Sequence, residues 1–187
     1  METEDFRKCI EKASGLNLTR FFDQWFYSSG CAFIGLMRDR FPKIQGKYAL
    51  QLDKKTVTVS LEQVQSEPFL NHFDIALDIE LVDTNNKVYT TTVTFENSKA
   101  FAVIPIGSSK IKTIRIDPDG KVLFSLDLNP GDEILSATAK EGGDICSRVW
   151  AYKELIKTGT FSALEKVRAS IFEEPFYGVR DQGLFFF

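Results

Sequence analysis

The sequence predicts a mainly β fold with helical flanks: an antiparallel β-sandwich (Ig-like) of seven or eight strands between an N-terminal helical hairpin and a C-terminal run of helices. Three observations carry this. Apolar residues recur at helical spacing up to Tyr27, at every second position from Cys31 to Leu128, and at helical spacing again after Asn129-Pro130-Gly131. Short strands with one apolar face each and frequent turns pack best as two facing sheets.

Residues 3–14 place Phe6, Cys9, Ile10 and Ala13 on one face of a helix, and Gly15 supplies the left-handed residue that ends it. Asn17 is the expected N-cap of a second helix over Leu18–Tyr27, with Leu18, Phe21, Phe22 and Trp25 on one face. A hairpin of this size cannot bury its own aromatics, so this face is expected to meet a large body or a neighbouring copy.

In the β region, Val57, Val59 and Leu61 share one side of a strand, and Phe73, Ile75, Leu77, Ile79 and Leu81 alternate along another. Asp83-Thr-Asn-Asn86 is turn chemistry, because Asn and Asp tolerate positive φ. Strands follow at Val88–Phe95, Phe101–Ile106 and Lys110–Ile116; after the turn Asp117-Pro-Asp-Gly120, Val122, Phe124, Leu126 and Leu128 alternate. Further strands are expected near Ala32–Arg38 and Lys47–Leu52.

Glu133–Lys140 reads as a helix ending at Gly142-Gly143. Asp144 caps Ile145–Lys157, which buries Val149, Ala151, Tyr152, Leu155 and Ile156 and stops at Gly159. Phe161–Glu173 follows with Leu164, Val167 and Ile171 inward, and Glu174-Pro175 is expected to start another helix. Arg148–Leu155 superposes on Arg180–Phe187 with a 32-residue offset, the spacing of stacked helix pairs. The apolar run Leu184–Phe187 and the unpartnered aromatic hairpin lead to the expectation of an internal piece of a longer polypeptide.

The 187 residues are 43% hydrophobic and 26% charged, with net charge -3, so no basic surface is present for nucleic acid. No apolar run approaches the roughly 20 residues of a membrane span, and the acidic start is unlike a signal peptide. Cys9, Cys31 and Cys146 are scattered and odd in number, which points to reduced thiols and a cytoplasmic setting.

His72 is the one histidine, which rules out H-E-x-x-H and leaves Ser–His or Cys–His chemistry dependent on a strand-edge residue. Gly142-Gly143-Asp144 before a helix reads as a loop and cap rather than an anion site. Asp78 with Glu80 and Asp117 with Asp119 read as a solvated sheet face and a capped turn; a calcium loop at Asp117–Gly120 would lack its remaining oxygens. The expectation is no catalytic, no cofactor-binding and no metal-binding residue in this chain.

One motif goes further. Lys12-Ala-Ser-Gly15, Leu18 and Phe21-Phe-Asp-Gln-Trp-Phe26, followed by a small loop ending at Gly30, resembles the last helices of the catalytic domain in the gluzincin zinc aminopeptidases of the membrane-alanyl and puromycin-sensitive type. Glu173-Glu-Pro-Phe-Tyr-Gly-Val-Arg180 resembles their HEAT-like helical region. At position 31 those proteins often have His-Pro, where this chain has Cys31-Ala32. The resemblance implies residues 1–29 as the tail of a catalytic domain, 30–129 as a linking β-sandwich and 130–187 as the start of a HEAT-like domain. In the family the zinc motif, the G-x-M-E-N motif and the catalytic tyrosine precede this region, so no functional residue carries over.

The resulting expectation is a non-catalytic spacer fragment whose parent hydrolyses N-terminal residues from peptides with a zinc ion. Its partners would be the parent's remaining domains, with a homo-oligomer contact through Phe21, Phe22 and Trp25, and neither nucleic acid nor membrane. The rival readings are a fragment of a catalytically inactive aminopeptidase-like scaffold, as in a transcription-factor subunit, and a free-standing adhesion or carbohydrate-binding module.

Overall fold

The computed structural model describes residues 2–27, 41–65, 72–107 and 110–186. Helix α1 (Thr3–Ser14) opens with a capping box, in which Glu2 and Asp5 satisfy each other's end groups, and closes at Gly15 with φ 71°. Arg7 then holds the hairpin together. It donates to Glu4 at 2.5 Å, Glu11 at 2.9 Å and Thr19 at 2.8 Å, while Glu11 accepts the Leu18 N–H at 2.7 Å.

The second helix differs from the expected regular one. Helix α2 (Thr19–Phe22) passes directly into a π-helical turn over Asp23–Tyr27. The wider turn stacks Phe22 on Phe26 at 4.7 Å. Leu18 occupies the cap position, and Asn17 contributes through its side chain, which accepts the Thr19 N–H at 3.0 Å.

Among the described residues seven strands follow: β1 (Lys43–Gln51), β2 (Thr56–Gln63), β3 (Ala76–Asp83), β4 (Val88–Thr94), β5 (Lys99–Pro105), β6 (Ile111–Ile116) and β7 (Ser125–Asp127). They form a four-stranded sheet, β5-β2-β1-β7, and a three-stranded sheet, β4-β3-β6. The alternation read from sequence is the alternation of burial: Val57, Val59, Leu61, Phe73, Ile75, Leu77, Ile79 and Leu81 all lie in the core. Asn86 takes positive φ in the β3–β4 turn, as its residue type allows.

Three expectations are corrected. The sheets are not purely antiparallel, because β7 runs parallel to β1 through Lys43↔Ser125 and Ile44↔Leu126. Strand β7 is also shorter than the alternation 122–128 suggested; Val122 and Phe124 are only partly buried against the core. Leu128 is fully buried over Gly46, where a Cβ would come within 3.0 Å of its Cδ1. Finally, helical residues outnumber strand residues among those described, so "mainly β" understates the helical half. The expected strand at Ala32–Arg38 lies outside the described residues.

Helices α3 (Asp132–Glu141), α4 (Ile145–Thr158), α5 (Phe161–Ile171) and α6 (Tyr177–Phe185) complete the chain. Asp144 caps α4 by accepting the Ser147 N–H at 2.7 Å, and Gly159 ends it with φ 66°. In α4, Ala151, Tyr152 and Leu155 are buried, whereas Val149 and Ile156 are only partly so; in α5, Ala163 takes the inward place expected for Leu164. Helix α6 starts at Tyr177, two residues beyond Pro175, because Glu174 turns inward and its carboxylate accepts the Phe176 N–H at 3.0 Å. Among the described residues no helix is long and apolar enough to cross a membrane.

The aromatic hairpin finds a seat within this chain. Trp25 lies on Phe73 at 4.7 Å between ring centroids, Arg20 pairs with Asp74, and Gln24 donates to the His72 carbonyl at 3.4 Å and accepts the Asp74 N–H at 3.2 Å. Phe22 is 1% exposed, enclosed by Phe6, Phe21, Phe26 and Tyr27. Of the three residues expected to lack a partner, Phe21 alone stays substantially open, at 48%. On α1 the apolar stripe has not found cover: Phe6, Cys9 and Ala13 are exposed.

Candidate functional site

The polar residues concentrate where the sandwich meets the helices. Arg115 on β6 reaches Glu80 on the neighbouring β3 and, at 3.2 Å, Asp144 at the start of α4. The register places Glu80 directly opposite Arg115, so the sheet itself sets this pair. Burial works against the guanidinium's charge, but the two carboxylates outweigh it and hold its pKa above the ordinary value. Gly143 lets the loop approach, since a Cβ there would sit 3.0 Å from Arg115 Nη1. On the other side of β3–β6, Thr138 of α3 accepts the Ile114 N–H at 3.3 Å and covers the β6 edge.

A cleft of about 590 Å³ opens beside this joint. Val122, Phe124 and Leu126 form one wall, and Ile145, Val149 and Trp150 form the other. Asp117 and Trp150 also line it, yet Asp117 Oδ1 and Trp150 Nε1 are enclosed and have no hydrogen-bond partner. The cleft suits an apolar group. The exposed Cys146 thiol is its one cysteine among the described lining residues, and no histidine is among them.

The residues weighed in the sequence are dispersed. His72 is exposed and takes part through its backbone carbonyl. Asp78 accepts from Lys121 at 2.7 Å and from Thr92 at 2.5 Å, and these bonds, Lys121's first, lower its pKa. Asp119 shares Lys121 at 3.1 Å. Asp117 stands in a turn with φ 52°, where Oδ2 accepts the Val122 N–H at 2.8 Å. The carboxylates of Asp78 and Asp119 are thus tied to one lysine, and Glu80 to Arg115. Among the described residues no three of His, Cys, Asp and Glu converge as a metal site. Cys9 and Cys146 are exposed, and Cys31 lies outside the described residues.

Three buried polar residues escaped the sequence reading. Glu174 is buried and pairs with Arg148 at 2.6 Å, joining α4 to the α5–α6 connection. Glu154 is buried on α4, and burial raises its pKa even with Lys157 at 3.7 Å. Gln63 is buried on β2. The signal that could have found Glu154 is its place in the i, i+3 and i, i+4 series beside Ala151 and Leu155. For Gln63, the alternation Val57, Val59, Leu61 runs directly into it.

No family model and no curated protein matches the chain. Among solved structures it is similar to aminopeptidase A of Legionella pneumophila, determined in complex with aspartic acid, with a TM-score of 0.63 and 16% sequence identity. The match covers 92% of this chain and 20% of that protein. At that identity the likeness is one of fold, and the chain spans about one fifth of the neighbour's length.

Proposed function

We propose that this chain is a non-catalytic spacer in a zinc-aminopeptidase-like protein, comprising the last helices of a catalytic domain (1–29), an Ig-like linking sandwich (30–129) and the start of a HEAT-like domain (130–187). The observation that carries the reading is the likeness of fold over 92% of this chain to part of an aminopeptidase. The resemblance carried by Phe21-Phe-Asp-Gln-Trp-Phe26 adds to it.

The geometry fits a spacer. Two side chains of β3 and β6 and the cap of α4 meet in one ion-pair cluster, and Trp25 locks the hairpin to the strand lead-in at Phe73. Cross-links of this kind fix the angle between successive units rather than perform chemistry. The parent would act in the cytoplasm, with zinc-activated water as its nucleophile; this chain would hold the geometry around it.

The test is twofold. The purified chain should contain no stoichiometric zinc by mass spectrometry and should release no product from aminoacyl-anilide substrates. The coding region before residue 1 should contain H-E-x-x-H; its degeneration would instead support the inactive scaffold.

A further inference from the structure

The outer edge of β5 carries an unused pairing site. Gln63 donates to the Ser98 carbonyl at 2.7 Å and Ile106 to the Lys55 carbonyl at 2.8 Å. Both bonds lie on the Val57↔Ile104 register, so every second residue of β5, namely Ala100, Ala102 and Ile104, turns its backbone groups to β2. The groups of Lys99, Phe101, Val103 and Pro105 therefore point away from β2. Those of Lys99 are taken by Glu96, at 2.8 and 3.2 Å, and Pro105 has no N–H. Two donors and two acceptors, on Phe101 and Val103, remain without a partner strand among the described residues.

The same two residues expose apolar side chains, Phe101 at 63% and Val103 at 54%. A groove of about 590 Å³, lined in part by Thr92, Val93, Phe101, Ala102 and Val103, runs alongside. The β6 edge, by contrast, is covered by Thr138. Natural edges are usually covered or blunted by charge.

We propose that this edge is the interface of a symmetric dimer, in which β5 of two copies pairs antiparallel about a two-fold axis at Ala102. The open groups select the register. With the axis at Ala102, Phe101 faces the partner's Val103 in two equivalent hydrogen-bonded pairs, and the open groups of Phe101 and Val103 are all satisfied. An axis at Phe101 would call on Lys99, which Glu96 already occupies; an axis at Val103 would call on the absent N–H of Pro105. The chosen register also sets an aromatic ring against a β-branched chain, a favourable cross-strand pair. Charge is compatible as well: Lys99 faces the partner's Pro105 and keeps Glu62 at 3.6 Å, so no like charges meet. A contact of two edge strands is expected to be weak, with a dissociation constant on the order of 0.1 mM.

Sedimentation equilibrium of the whole chain from about 10 µM to about 1 mM tests this. The weight-average mass is expected to rise from that of one 21.2 kDa chain towards twice that value. Val103→Pro removes an N–H that points away from β2 and leaves the β2–β5 ladder intact; with an unchanged circular dichroism spectrum it should weaken association at least tenfold. Phe101→Glu, at an exposed position, should do the same should the proline variant not fold. A mass that stays at one chain throughout overturns the proposal. So does association that persists in a folded Val103→Pro or Phe101→Glu variant, including association that only Phe21→Ser abolishes, which would place the contact on the hairpin.

Discussion

The side chain of Gln63 pairs with both backbone groups of Phe73: Nε2 donates to the Phe73 carbonyl at 2.8 Å, and Oε1 accepts the Phe73 N–H at 2.9 Å. One amide thereby stands in for a neighbouring strand, and it fixes the ring on which Trp25 rests. Gln63→Leu leaves two buried backbone groups unpaired and should cost about 2–3 kcal/mol by urea denaturation. The variant should also shift tryptophan emission to the red as Trp25 loosens.

The hairpin's attachment can be tested separately. Phe73→Ala removes the ring under Trp25 and should destabilise the protein by about 3 kcal/mol. Limited proteolysis should then cut within the first 27 residues before the sandwich is lost, because Arg20–Asp74 is an exposed pair of little worth by itself.

Gly46 sits on β1 within 3.1 Å of both Leu128 and Leu61 as judged from a Cβ placed there. Gly46→Val overpacks that point and should cost about 1–3 kcal/mol, measured as a fall in the urea midpoint.

Breaking the Arg148–Glu174 pair from one side should be costly, since the Glu174 side chain is 2% exposed. Arg148→Met strands a buried carboxylate and is expected to lose about 3 kcal/mol. Arg148→Met combined with Glu174→Leu should recover part of that loss, which a double-mutant cycle reads directly.

Glu154 supplies a pH dependence. Burial raises its folded pKa above the unfolded value, so the native state holds the proton more tightly. Stability from this residue is full below the ordinary glutamate value and falls as pH rises through the higher folded value. Glu154→Gln should remove that decline and raise the urea midpoint at pH 8 relative to the parent chain, with little change at pH 4. Burial acts in the same direction on Tyr48, whose enclosed hydroxyl has no partner and whose pKa is pushed up to about 12. Tyr48→Phe should gain about 1 kcal/mol at neutral pH.

The strand alternation, the turn at Asn86 and the caps at Gly15, Asp144 and Gly159 were all legible, because each is a local preference of a few adjacent residues. The parallel β1–β7 pair was not, since strand direction depends on where a connection returns and leaves no periodic trace. The roles of Gln63, Glu154 and Glu174 were hidden for a related reason: residue type predicts exposure, and only a partner or an enclosure distant in sequence makes burial possible.

The aromatic hairpin divides the two kinds of information most clearly. The sequence by itself determined that Phe21, Phe22 and Trp25 share a face and need cover, because helical spacing and the cost of exposed aromatic area are local properties. It also determined that a strand runs over Phe101–Ile106. Only the tertiary structure decided which cover was found: Trp25 on Phe73, Phe22 within its own hairpin, and none for Phe21. Only it decided that β5 lies at an edge with Phe101 and Val103 open. Packing partners and sheet order are contacts between distant segments, fixed by how whole surfaces fit together rather than by the residues next in line.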